Sequence, residues 1–235
     1  IYSTNKLTNG CNISDEKKLE NVLTDSVTVH QRSDVPYGLF FSGGIDSTLI
    51  LYLMSISSSK PVDCFTILFP GDDEKKKKVS FLAKKFNSKV KFVEFDSKDF
   101  WSYLPKTIEF LDDPIADYAT VPTFRLAEVA SKNVKVVLTG EGGDEMFGGY
   151  GRYRSELRTV MRKIFLQKGT FDKFRNPNDF FNGWNFDLSF CRESINNLDL
   201  SKIQKSQLFD FNEWLPNNLL IKLDRCLMAH SLEGR

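Results

Sequence analysis

Histidine is scarce in this chain, cysteine is scattered, and the charges nearly cancel. His30 and His230 are the two histidines among 235 residues, which all but excludes a histidine metal site or a histidine-based triad. Cys11, Cys64, Cys191 and Cys226 form no C-x-x-C pair, so neither a zinc site nor a disulfide framework is indicated. Free thiols in a reducing cytoplasm are the simplest reading. The formal net charge of +1 gives no electrostatic reason to expect a nucleic-acid or acidic-membrane partner. No signal-peptide pattern and no apolar run of membrane-spanning length are seen.

What is present is ordinary in bulk: 41% hydrophobic and 27% charged residues, as in globular proteins. The 21 phenylalanines imply an aromatic-rich core. The chain opens at Ile1, not Met, and stops at Arg235, and reads as a piece of a longer protein. Residues 1–13 read as a linker or lead-in.

Apolar periodicity sets out the elements. Ser14 is a candidate N-cap for a helix over 15–31 carrying Leu19, Val22, Leu23 and Val27. Strands are expected at 37–41, 62–69, 90–95 and 134–138. Helices are expected at 46–57, 73–86, 98–111 (apolar set Phe100, Tyr103, Leu104, Ile108 and Leu111) and from Pro122 to about 131. Lys75 to Lys78 read as a solvated helix face, and His30 as surface decoration. Short apolar strands alternating with helices mean an α/β fold: a parallel twisted sheet with helices on both faces, over 14–169. A basic helix at 151–170 carries Arg152, Arg154, Arg158, Arg162 and Lys163. From 170 to 235 the sheet pattern gives way to a mostly helical segment, with Phe171 to Phe190 among Asn and Asp. Trp214-Leu215-Pro216 leads into a last helix at 218–231.

Two loops carry chemistry. Ser42-Gly43-Gly44-Ile45-Asp46-Ser47 joins the first of these strands to its helix. Its glycines allow a tight turn, and the serine hydroxyls with the helix-start N–H groups make a phosphate cradle. It is too short for a Walker loop and lacks the Gly-Lys-Ser/Thr ending. A carboxylate in an anion site makes sense once a cation joins it, so Asp46 reads as a Mg²⁺ ligand. An ordinary glycine turn is the bland alternative. Thr139-Gly140-Glu141-Gly142-Gly143-Asp144-Glu145-Met146-Phe147-Gly148-Gly149-Tyr150 follows the fourth strand. Five glycines and three carboxylates in twelve residues have little structural reason to gather unless a cation or cationic group joins them. Asp46 and Asp144 could then share one Mg²⁺ against phosphate oxygens.

Ser-Gly-Gly-Ile-Asp-Ser resembles the pyrophosphate loop of the ATP-pyrophosphatases, whose fold is adenine nucleotide α-hydrolase-like. The second motif resembles the synthetase domain of the glutamine-hydrolysing asparagine synthetases. So do Asp113-Pro114-Ile115-Ala116-Asp117-Tyr118 with Pro122-Thr123, and the tail from Leu219 to Arg235. The resemblance spans about 35–155 and 214–235, and makes 170–235 the helical part of the same domain, truncated at its C-terminus. It implies that a carboxylate, aspartate first, attacks the α-phosphorus of MgATP, pyrophosphate leaves, and ammonia takes up the acyl-adenylate. By that analogy Phe40, Ile67, Thr139 and Gly140 meet adenine and ribose, and Ser42, Gly43, Gly44, Asp46 and Ser47 hold pyrophosphate. Glu141 meets the substrate amine or ammonia and is catalytic together with Asp144, while Asp117, Lys222, Asp224 and Arg225 face the substrate. The family's glutaminase domain and a lysine beyond Arg235 are missing here, so ammonia comes from elsewhere and the fragment alone is not expected to be fully active. A homodimer is left open. A relative acting on a sugar acid or forming an intramolecular amide, and a non-catalytic ATP-binding module, are the alternatives.

Overall fold

The computed structural model describes residues 13–58, 60–112, 117–154 and 193–235. The expected lead-in, the stretch 113–116, the basic helix beyond 154, the aromatic run Phe171 to Phe190, and Cys11 and Cys191 lie outside them. The chain divides into two compact units. The first is built from the described parts of 1–112, 118–140 and 224–235, and the second from those of 113–117 and 141–223.

The first unit is an α/β layer structure. Its elements are α1 (Ile13–His30), β1 (Tyr37–Phe40), α2 (Ile45–Ser57), β2 (Asp63–Leu68), α3 (Asp73–Lys85), β3 (Lys89–Glu94), α4 (Ser97–Glu109), α5 (Thr120–Ala130) and β4 (Val136–Leu138). The last strand is β5 (Glu233–Gly234). All strands are parallel, in the order β3-β2-β1-β4-β5. Strand order therefore reverses at β1, with β2 on one side and β4 on the other, and such a switch point opens a crevice at the carboxyl ends of the strands.

Leu39, Cys64 and Leu138 join Leu51, Met54, Val62 and Val79 in one buried cluster, against which Leu23 of α1 and Leu82 of α3 pack. Gly38 is required at the centre of β1: a Cβ there would lie 2.5 Å from the Asp63 carbonyl oxygen on β2. Elsewhere α4 meets α5 through Tyr103 Oη, which donates to Glu128 Oε2 at 2.9 Å. Arg235 donates to the carbonyls of His30 and Arg32 at 3.0 and 2.9 Å, tying the tail to the end of α1.

Several expectations are corrected. α1 starts at Ile13, so Ser14 lies inside its first turn rather than ahead of it. α5 starts at Thr120, which puts Pro122 in the first turn, where its missing N–H costs nothing. β4 is two residues shorter than expected, because Val134 donates back to Ala130 of α5. Ile108 of α4 is exposed. β5 was not foreseen; two residues are too few for any periodicity.

The second unit, among the described residues, is helical. It contains α6 (Gly143–Phe147), a 3₁₀ turn (Gly151–Arg154), a turn of helix at 193–196 and α7 (Lys202–Phe209). α7 runs on through a π-helical segment (Asp210–Leu220) into α8 (Ile221–Met228), which continues past the unit's last residue, Leu223. Trp214-Leu215-Pro216 lies inside that π-helical segment rather than leading into a helix.

Candidate functional site

In the first unit the chain leaves β1 and turns sharply into α2. Gly43 makes the turn possible: its φ is +74° and a Cβ there would stand 3.0 Å from Val79 Cγ2. Ser42 Oγ accepts from Gly44 N at 3.1 Å and lies 3.0 Å from Ser47 Oγ, while Ser47 Oγ donates to the Gly44 carbonyl at 3.4 Å. The hydroxyls therefore brace the turn as well as facing the helix start. Gly44 is the N-cap of α2, so no cap side chain closes the first turn. The loop after β4 comes down on that turn. A Cβ on Gly140 would lie 3.3 Å from Asp46 Cβ and 3.4 Å from Ser47 N, so Gly140 brings backbone close to the helix start.

Other expected residues of this unit surround the same strand ends. Phe40 closes β1. The Thr139 amide donates to the Arg235 carbonyl at 2.9 Å, and the Ile67 carbonyl accepts from Lys75 Nζ at 2.9 Å. Lys75 thus departs from the solvated face expected of it: it is half-buried and 3.6 Å from Asp72. Among the described residues no three His, Cys, Asp or Glu gather as a metal cluster. Mg²⁺ is commonly bound through one or two carboxylates and keeps phosphate and water oxygens. Asp46, in the first turn of α2, is a carboxylate that could serve in such a set.

In the second unit the glycine–acid motif folds into α6. Gly142 at +88° and Gly148 at +68° bound it in the left-handed region, which is why glycines flank the acids on both sides. Asp144 lies in the first turn of α6. Glu145 is 1% exposed and accepts from Tyr150 Oη at 2.6 Å. Burial, then the Glu145 hydrogen bond and charge, raise the Tyr150 phenol.

Glu141 meets Lys222. The ammonium is 2.8 Å from Asp117 Oδ2 and 3.3 Å from Glu141 Oε1, and Lys222 is 3% exposed. Burial alone would lower its pKa, but the Glu141 and Asp117 carboxylates outweigh that and raise it. So Asp117, Glu141 and Lys222, 105 and 81 residues apart in sequence, form one charged cluster.

A family model described as asparagine synthase matches residues 18–235. The chain belongs to the asparagine synthase family. It is 30% identical to glutamine-hydrolyzing asparagine synthetase 1 of Bacillus subtilis, over 93% of this chain and 41% of that protein. It is also 30% identical to the putative glutamine-hydrolyzing asparagine synthetase 2 of Methanocaldococcus jannaschii, over 92% of this chain and 50% of that one. The chain thus spans about half or less of the curated relatives it matches. Among solved structures there is a weak likeness to the NH3-dependent NAD synthetase of Campylobacter jejuni, with TM-score 0.42 and 15% identity over 89% of this chain and 95% of that one.

Two further expected residues, Asp224 and Arg225, belong to the first unit. Asp224 is exposed. Arg225 pairs with Asp112, both in the first unit. Sequence reasoning missed the buried Glu145 with its half-buried partner Tyr150, and the buried pair Tyr153 with Asp210. It also treated Lys222 as a surface charge by default, although a signal was available. Leu215, Leu219, Leu223, Cys226 and Leu227 are a buried stripe, and Lys222 falls within it.

Proposed function

We propose that the chain is the synthetase part of an ATP-dependent amide-forming ligase that makes asparagine from aspartate. The observation that carries this reading is the packing of Gly140 against the first turn of α2. It brings the start of the second glycine–acid motif onto a helix N-terminus at the point where strand order reverses, where a phosphate chain can be held. The asparagine synthetase relatives support the same reaction class.

In the proposed reaction an aspartate carboxylate oxygen attacks the α-phosphorus of ATP, and pyrophosphate leaves. Ammonia then attacks the activated acyl carbon, surrenders a proton, and AMP leaves with the bond it held. Ser42, Gly43, Gly44 and Ser47 hold the pyrophosphate through the backbone and hydroxyls. Phe40, Ile67, Thr139 and Gly140 lie toward the nucleoside. Asp46 and Asp144 are each proposed as carboxylate ligands of Mg²⁺, which would offset the charge on the leaving pyrophosphate. Glu141 is the proposed proton acceptor for the amine. The words "glutamine-hydrolyzing" in the relatives' names support glutamine as the ammonia source, through a domain or subunit outside this chain. Cys64 and Cys226 are buried thiols, which suits a cytoplasmic setting.

The test is pyrophosphate release by the full-length protein with MgATP and a panel of carboxylates, with and without ammonia. Aspartate-dependent release together with asparagine is expected. Release with another acid and none with aspartate would keep the chemistry and replace the substrate. Silence with every acid would refute the ligase.

A further inference from the structure

The cluster around Lys222 has more in it than the reaction above requires. A lysine on a helix stripe otherwise made of Leu215, Leu219, Leu223, Cys226 and Leu227 is costly unless its charge is met. It is met twice, and unequally. Asp117 is the closer partner, at 2.8 Å, and its side chain is 13% exposed. Glu141 is farther, at 3.3 Å, and its side chain is 31% exposed. The buried end of the cluster is therefore an anchor, and the Glu141 end is the one that solvent and ligand can reach. Two carboxylates already face one ammonium, so a substrate carboxylate could reach Lys222 only at the expense of a buried ion pair. The π-helical segment Asp210–Leu220 ends two residues before Lys222, and π-helical turns are frequent at functional sites.

We infer that Lys222 is a positioning residue rather than a substrate ligand: its ammonium, anchored by Asp117, holds the Glu141 carboxylate where it meets the amine. The inference rests on the role proposed above for Glu141.

The experiment uses the full-length protein and the variants Lys222→Met, Lys222→Arg and Asp117→Asn. Methionine keeps the length and apolar stem of lysine and removes the charge. Lys222→Met is expected to lower kcat for amide formation at saturating ammonia by about 100-fold, the scale set by misplacing a reacting group by about 1 Å. The KM for the carboxylate should stay within about threefold. Lys222→Arg should recover about tenfold of that loss, and Asp117→Asn should lose about tenfold, on the same scale. A crystal structure of Lys222→Met gives a readout independent of turnover: the Glu141 carboxylate should leave the place it holds beside residue 222. An unmoved Glu141 would overturn the inference. So would a wild-type kcat in Lys222→Met, or a raised carboxylate KM with kcat unchanged, which marks a substrate ligand. If Lys222→Met does not fold, Asp117→Asn is read by the same kinetics and structure. Failure of the wider reading looks different: the wild-type protein then releases no pyrophosphate with any acid, and the variant structures decide the positioning role by themselves.

Discussion

Replacing Gly43 by alanine separates two reasons for a glycine in the turn after β1. At φ +74° a side chain costs about 1–2 kcal/mol through its clash with the following carbonyl. The new Cβ would also press on Val79 Cγ2 at 3.0 Å. Val79 is fully buried in the main core cluster, so it has little room to give, and overpacking of this kind costs about 1–3 kcal/mol. The stiffer unfolded chain returns about 0.4–1 kcal/mol. The expected net loss is near 3 kcal/mol by those figures, or about 6–12 °C in Tm for a chain of this size. Gly71→Ala is the internal control. Its φ is +90° and none of the described residues lies within 4 Å of its Cβ, so it carries the backbone cost alone, less than about 2 kcal/mol. Thermal and urea unfolding of both variants beside wild type make the comparison. Equal losses for Gly43→Ala and Gly71→Ala would show that the contact with Val79 contributes nothing and would refute the packing argument.

Asp46→Asn should weaken Mg²⁺-dependent ATP binding, measured by titration calorimetry, by about tenfold or more while leaving Tm unchanged; equal affinity would remove Asp46 as a ligand. Tyr153→Phe takes a hydroxyl donor from the buried carboxylate of Asp210 and should cost about 1–3 kcal/mol in urea unfolding; a neutral result would show that other groups satisfy Asp210 unaided. Burial, then the neighbouring Asp63 charge, push the Cys64 thiol from 9.0 to about 12. Its folded pKa is raised, so its contribution to stability is complete below pH 9.0 and is lost as pH rises toward about 12. Cys64→Ser should flatten that part of the stability–pH curve, and native protein at pH 8 should resist a thiol reagent at Cys64 until urea unfolds it.

The alternation of apolar runs with helical stripes was enough to foresee β1 to β4 and α1 to α5. Parallel strands buried on both faces leave near-continuous apolar runs, and Val136–Leu138 and the pair Cys64-Phe65 are runs of that kind. The motifs were legible for a comparable reason. A glycine at φ +74° and glycines on both sides of α6 are positions where backbone geometry admits few other residues, so the requirement is written in the residue type.

Helix ends were less legible, since Thr120 rather than Pro122 opens α5 and a proline marks a first turn without marking its first residue. β5 and the π-helical segment were not legible at all. A two-residue strand has no period, and its pairing with Val136 and Val137 depends on a tail far away in sequence. A π-turn reads as an ordinary helix by its apolar spacing, and Pro216 within it reads as a break.

By itself, then, the sequence determined the parallel α/β layer, the glycine turn at the start of α2 and the acids that follow β4, because local backbone sterics and apolar periodicity act over a few residues. Only the tertiary structure decided that Gly140 lies on the first turn of α2 and that Lys222 is buried between Asp117 and Glu141. A charge changes from surface decoration to a buried pair according to what packs around it, and its partners here stand 105 and 81 residues away, beyond the reach of any local pattern.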